Sequence, residues 1–191
     1  RLLEGEAPAG LWDGLAALVE ADGCRVLRVE HEGMIRGANG LTDYAARTVA
    51  VRTNMDPAAQ VKTLAHELGH VRLHGPDNPD WAKHRGIGEV EAESVALMIG
   101  AAHGMDTSSY SVSYVSGWAG TVKDKEPAEV VQSTGERVRK TAAAILDALD
   151  TVQIGAGDPP GLNRDAAARP RAERTSPPPV EQRAVSAADA A

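Results

Sequence analysis

Two histidines and a glutamate in the segment VKTLAHELGHVRLHG, residues 61–75, have the spacing of a metal site. His66 and His70 are four residues apart, so on a helix their side chains lie on one face. Two imidazoles placed in this way can bind one Zn²⁺, and Glu67 between them can act as a general base toward a water molecule. The alternative interpretation is a polar patch on a surface helix. We favour the metal site, because the flanking apolar residues predict a buried helix, in which unpaired charge would be costly.

A zinc site that does chemistry needs a third protein ligand and an open fourth position. His74 follows His66 by eight residues, a rise of about 12 Å along a helix, so we expect it to lie away from the metal. His84 in the following loop stays a candidate, although a loop supports a ligand poorly. His31 and His103 have no partner pattern and are expected at the surface or in the core.

Three glutamates begin the next predicted helix, in the segment GEVEAESVALMIGAAHG. The helix dipole stabilises acidic residues at this end, which explains them without a metal. Glu89 and Glu93 nevertheless share a face with small alanines, which permits close packing against another helix. Glu91 lies about 200° from Glu89 around the helix and is expected to point elsewhere. We expect Glu89 to be the third ligand and Glu93 to accept a hydrogen bond from a ligand imidazole, with Glu93 and then Glu91 as alternative ligands.

The segments around these groups predict a small α+β domain, with a short mixed sheet of two to three strands packed on four to five helices. Alternating residues predict strands in CRVLRVE and RTVAVRT, and RGANG is typical of tight turns. Apolar residues at helical spacing predict helices in AGLWDGLAALVEADG and over residues 57–74, 87–103 and 126–149, with a shorter helix in SSYSVSYVSGWAGTV. Asp56 is predicted to cap the second helix, with Pro57 in its first turn.

Composition and charge limit the location and partners of the chain. The net charge of −7 argues against nucleic-acid binding by this fragment alone, because phosphate binding needs clustered Lys and Arg. Cys24 is the one cysteine and cannot form an internal disulfide, and no apolar run reaches membrane-spanning length, so we predict a cytoplasmic location. Residues 155–191 are rich in Pro and Ala and poor in large apolar residues, so we predict a folded domain over residues 1–154 and a disordered tail.

The order of these segments resembles a known family. TLAHELGHVRLHG, followed by a helix with the pattern E-x-x-A-x-x-x-A, is similar to the ImmA/IrrE-type metallopeptidase domains of the gluzincin class. The resemblance is closer still to the C-terminal metallopeptidase-like domain of ArdC-type antirestriction proteins, over residues 1 to about 150. The matching segments are RLLEGEAPAGLWDGLAALVEADG, GANGLTDYAARTVAVR, VKTLAHELGHVRLH, GEVEAESVALMIGAAHGMDTSSYSVSYVSGWA and the last helix. One departure is VALMIGAA, where ImmA-like relatives often have FAxxLLMP.

This resemblance implies a zincin-like fold and a zinc-dependent peptidase acting on a protein or peptide. Glu89 would complete the ligand set of His66 and His70, and Glu67 would move protons. Proteins of this kind usually carry an upstream domain that binds single-stranded DNA. The chain begins at Arg1, where that domain would have ended, so its DNA binding is not carried over.

Several roles stay open at this point. Tyr44, Tyr110 and Tyr114 can each donate a hydrogen bond to a tetrahedral oxyanion, although each is more often a half-buried packing residue. The GANG segment is either a plain turn or the edge of a cleft that pairs with an extended peptide. Two other classes compete with the peptidase: a zinc-binding scaffold of an antirestriction or DNA-associated protein, and a non-haem Fe(II) oxygenase with the same ligand types. The glutamate between the histidines favours the peptidase.

Overall fold

The computed structural model describes residues 2–76, 85–107, 127–155 and 157, which all fall within the compact unit Arg1–Pro160. Four sets of predictions lie outside the described residues: the short helix over residues 108–122, the loop histidine His84, the two tyrosines Tyr110 and Tyr114, and the tail from residue 158. The boundary between a folded domain and a disordered tail therefore stays a prediction. Within the described part, no helix is both long and apolar enough to cross a bilayer.

The described part is an α+β fold, as predicted. In chain order it contains α1 (Leu11–Ala21), β1 (Arg25–Val29), a 3₁₀ turn (Glu32–Ile35), β2 (Gly40–Asp43), β3 (Thr48–Arg52), α2 (Pro57–Leu73), α3 (Arg85–Ala102) and α4 (Pro127–Ala148). The four α-helices, β1 and β3 lie where their apolar periodicity predicts them. The 3₁₀ turn and β2 were not predicted, and β2 begins at the last glycine of the segment that we interpreted as a turn.

The strands form one mixed sheet in the order β1-β3-β2. β3 runs parallel to β1 and antiparallel to β2, with Leu41 opposite Ala50. The central strand is buried along Thr48–Val51, whereas every residue of β2 is only partly buried. β2 is thus an edge strand of the described sheet, and it lies beside α2.

The core is aliphatic, as a chain without Phe requires. Its largest fully buried side chains come from four helices and the central strand, and they include Leu11, Leu15, Val49, Val51, Leu64, Leu68, Ile99 and Ile145. Helix α2 passes through this core and has Pro57 at its start, as predicted. The predicted cap is wrong in one respect: the side chain of Asp56 does not bond to its own helix but accepts a hydrogen bond from the Gly5 amide at 2.8 Å. Asp56 therefore ties the N-terminal segment to α2.

Helices α2 and α3 approach each other closely at Gly69 and Ala92. A Cβ built on Gly69 would lie 3.0 Å from the Cα of Ala92 and 3.4 Å from its carbonyl oxygen. Ala92 and Ala96 are both buried in this contact. Because both facing positions are small, the backbones pack together and bring the acidic start of α3 toward the histidine face of α2.

We expect Gly69→Ala to push the two helices apart. Overpacking costs about 1–3 kcal/mol, more than the roughly 1 kcal/mol that alanine gains in helix propensity. The free energy of unfolding in urea should therefore fall, by up to about 2 kcal/mol. The matched control is Gly135→Ala in α4, whose added Cβ would meet nothing within 4 Å and should stabilise the protein by up to about 1 kcal/mol. A stabilised Gly69→Ala would contradict the tight contact.

Candidate metal centre

His66, His70 and Glu89 come together where α2 and α3 touch. The two Nε2 atoms lie 3.1 Å apart, and oxygens of Glu89 lie 3.5 Å from Nε2 of His66 and 3.7 Å from Nε2 of His70. Ligands of tetrahedral zinc, with bonds of about 2.0–2.1 Å, are about 3.3–3.4 Å apart. The two imidazole nitrogens and the two oxygens of the Glu89 carboxylate thus lie at separations close to those between the ligands of one zinc ion.

The outer nitrogen of His66 bonds to a carboxylate of α3. Its Nδ1 lies 3.1 Å from Oε2 of Glu93, and the other oxygen of Glu93 accepts a hydrogen bond from Lys62. A carboxylate only accepts hydrogen bonds, so a neutral His66 carries its proton on Nδ1 and has its lone pair on Nε2. Glu93 therefore makes the hydrogen bond with His66 that we expected of it.

The outer nitrogen of His70 bonds to another histidine. Its Nδ1 lies 2.9 Å from Nδ1 of His74, and Nε2 of His74 lies 2.8 Å from Oε2 of Glu91. The second oxygen of Glu91 accepts a hydrogen bond from Arg137 of α4. His74 and Glu91 are both buried.

Two expectations need correction here. His74 is not one of the three residues that come together, but it is not remote from them as we expected, because it contacts His70 directly. Glu91 does not point away from the site but reaches His74 one turn further along α2. The spacing carried a signal that we did not use: His70 and His74 are also four residues apart and so share a face.

Glu67 faces β2. Its Oε2 accepts a hydrogen bond from the Thr42 hydroxyl at 2.7 Å. A Cβ built on Gly40 would lie 2.7 Å from Oε1 of Glu67 and 2.6 Å from Cγ2 of Thr63. The buried carboxylate therefore packs against the backbone of β2 where only glycine leaves room. Sequence reasoning considered the GANG segment as a cleft edge, but it missed the contacts of Gly40 and Thr42 with Glu67 because it did not predict this strand.

Comparison with known proteins gives a family match. Residues 20–114 match the family model Peptidase_M78, described as the IrrE N-terminal-like domain. This match supports the ImmA/IrrE-type family. The matched segment runs from the end of α1 past α3, and it contains His66, Glu67, His70 and Glu89.

One curated relative is an uncharacterized protein of Bacillus anthracis, pXO2-81. It is 26% identical over 144 residues, which cover 72% of this chain and 24% of that protein. The chain thus spans about a quarter of the length of this relative. No solved structure matches the chain. The narrower resemblance to ArdC-type proteins stays a prediction.

Tyr44 contacts α2 beside these histidines. Its hydroxyl donates a hydrogen bond to the backbone carbonyl of His70 at 3.0 Å. Burial and the nearby charge of Glu67 raise the pKa of Tyr44 above its ordinary value, so the hydroxyl keeps its proton. Its suggested role as an oxyanion donor stays a prediction.

The carboxylates around His66 control its protonation. Burial by itself would lower the pKa of this imidazole, but hydrogen bonds with Glu89 and Glu93 and the charge of Glu67 raise it to about 9. Hydrogen bonds with His66 and His70 in turn hold the pKa of Glu89 well below its usual range. The cluster therefore stabilises positive charge, whether a proton or a metal ion carries it.

Metal and proton should compete for His66. With a pKa of about 9 in the metal-free protein, His66 is protonated at pH 7, so zinc uptake should release about one proton. The apparent zinc affinity should then rise about tenfold per pH unit and level off above about pH 9. In the metal-free protein, the stabilisation from protonated His66 is complete below its ordinary pKa of 6.5 and is lost as the pH rises through about 9.

Calorimetric titration with zinc, in buffers of different ionisation enthalpy, measures the released protons. Urea unfolding of the metal-free protein between pH 6 and 10 measures the loss of stability. Zinc binding without proton release at pH 7 would contradict the raised pKa of His66.

Proposed function

We propose that this IrrE-like domain is a zinc-dependent peptidase. The observation that carries the proposal is the convergence of Nε2 of His66, Nε2 of His70 and the Glu89 carboxylate at zinc spacing. Both outer nitrogens already have hydrogen-bond partners, so both Nε2 atoms are directed at the same point. A proton occupies that point in the metal-free protein at pH 7, and a metal ion that displaced it would meet two Nε2 lone pairs. Two histidines, one carboxylate and an open position are the ligand set of catalytic zinc in several peptidases.

Hydrolysis of a peptide bond assigns a role to each neighbouring group. Bound at this point, Zn²⁺ would polarise the peptide carbonyl and make water easier to deprotonate. Glu67 accepts a proton from the attacking water as its oxygen bonds to the carbonyl carbon, and passes that proton to the amine when the C–N bond breaks. The Thr42 hydroxyl fixes the orientation of the Glu67 carboxylate while it does so.

An extended peptide is the substrate that fits a site beside an edge strand. β2 is an edge strand of the described sheet, and Gly40 and Thr42 on it contact Glu67. Backbone groups on a strand edge pair with an extended chain, and pairing along β2 would carry the scissile bond past Glu67. The acidic balance of the chain supports a protein or peptide partner rather than a nucleic acid, and we keep a cytoplasmic location as part of the proposal.

The ligand assignment predicts about one zinc ion per chain. His66→Ala or His70→Ala should abolish zinc binding. Glu89→Gln should weaken it more than Glu93→Gln, because the first removes an anionic ligand and the second only an imidazole partner. Elemental analysis and competition with a chromogenic chelator measure these effects. Undiminished zinc in both histidine variants would contradict the site, and iron in place of zinc would favour an oxygenase.

Glu67→Gln separates a peptidase from a zinc-binding scaffold. The variant should stay folded and zinc-loaded, but the amide cannot accept a proton from water, so the rate of cleavage should fall by about 10²–10⁴. The matched control is Glu20→Gln, the same chemical change at an exposed position of α1.

New protein N-termini in host cells that express the wild type or either variant provide the measurement. They should disappear with Glu67→Gln and persist with Glu20→Gln. If cleavage and the biological effect of the protein survive in Glu67→Gln, the scaffold function replaces the peptidase.

A further inference from the structure

We infer that His74, Glu91 and Arg137 act as a positioning relay, which holds the proton of His70 on Nδ1 and so leaves its Nε2 lone pair for the metal. The relay is the hydrogen-bonded series His70–His74–Glu91–Arg137. This inference rests on the zinc site proposed above. It assigns a role to three residues that the hydrolytic steps do not use.

The direction of every hydrogen bond in the relay follows from the groups themselves. The guanidinium of Arg137 can only donate, and the carboxylate of Glu91 can only accept. Nε2 of His74 must then donate to Glu91, so Nδ1 of a neutral His74 is an acceptor. The remaining bond, at 2.9 Å between the two Nδ1 atoms, is complete only when His70 donates from its Nδ1.

The opposite arrangement of protons is costly because the relay is buried. With its proton on Nδ1, His74 would turn the Nε2 lone pair toward an anionic oxygen of Glu91 only 2.8 Å away. His74 is 2% exposed and Glu91 is 1% exposed, so water cannot relieve that repulsion. His70 would then carry its proton on Nε2, where it would block the metal. The burial of Glu91 thus controls the tautomer of a ligand two groups away.

The two metal ligands are supported in parallel. His66 donates directly to Glu93, which pairs with Lys62, and His70 donates to Glu91 through His74. Each supporting carboxylate comes from α3 and each pairs with a cation. Imidazole ligands oriented by such partners bind metal about 10–100-fold more tightly than unsupported ones.

A nuclear magnetic resonance experiment on the wild type tests the relay directly. In the zinc-loaded protein labelled with ¹⁵N-histidine, we expect the ring protons on Nδ1 of His70 and on Nε2 of His74. We also expect a scalar coupling between the two Nδ1 nuclei, which only an N–H···N hydrogen bond transmits. Zinc binding without this coupling would overturn the relay and leave the metal site intact. A wild type that binds no zinc would overturn the metal site and the relay together.

Two substitutions of His74 separate a relay from simple filling of space. Gln can accept from His70 with its oxygen and donate to Glu91 with its nitrogen, whereas Leu fills a similar volume but does neither. His74→Leu should weaken zinc binding about 10–100-fold, and His74→Gln should retain most of the affinity. Equal losses in the two variants would overturn the relay. If His74→Leu does not fold, the coupling in the wild type decides.

His103 provides the matched control. This buried histidine also has both ring nitrogens in hydrogen bonds, to the Ile99 carbonyl and the Thr151 hydroxyl. His103→Gln should leave zinc affinity unchanged, whatever its effect on stability. A loss as large as that of His74→Leu would mean that any disturbed buried histidine weakens the site, and would also overturn the relay.

Discussion

The contact of Gly69 with Ala92 is the constraint on which the rest of the site depends. A Cβ at position 69 would lie 3.0 Å from the Cα of Ala92, so the helices could keep this contact only if one of them shifted by a few tenths of an ångström. This contact brings the start of α3 against the histidine face of α2. Glu89 then reaches both Nε2 atoms, and Glu91 and Glu93 reach the groups behind them. A wider separation of the helices would weaken all of these contacts together.

The buried charges beside His66 and His70 are better explained by their effect on side-chain orientation than by a contribution to stability. Glu91 and Glu93 are both buried and each pairs with a cation, Arg137 or Lys62. The desolvation of such pairs offsets most of their Coulomb attraction, so they contribute little to the free energy of folding. What they do provide is direction, because an oxygen in a fixed position selects which imidazole nitrogen carries the proton. A few polar groups of defined geometry therefore lie beside a buried aliphatic core.

The sequence was sufficient to predict those features that depend only on residues close together in the chain. Four helices and two strands follow from apolar periodicity, and His66 and His70 follow from helical spacing. The sequence could not reveal β2, because its four residues GLTD contain one large apolar side chain and are strand only through pairing with β3. Nor could it pair Glu91 with His74. An angle around one helix does not say which part of the neighbouring helix lies opposite, since the crossing of the two helices decides this.

Of the four residues in the series His70–His74–Glu91–Arg137, Arg137 is the last to be synthesised. It pairs with Glu91 across 46 positions of the chain, whereas both histidines and Glu89 leave the ribosome well before it. Until α4 has been made and has docked, Glu91 is a carboxylate without its cation, and burying it in that state is costly. Full packing of the start of α3 is therefore expected to wait for α4. The cluster of His66, His70 and Glu89 would therefore reach its final geometry late in biosynthesis, after α2 and α3 have formed.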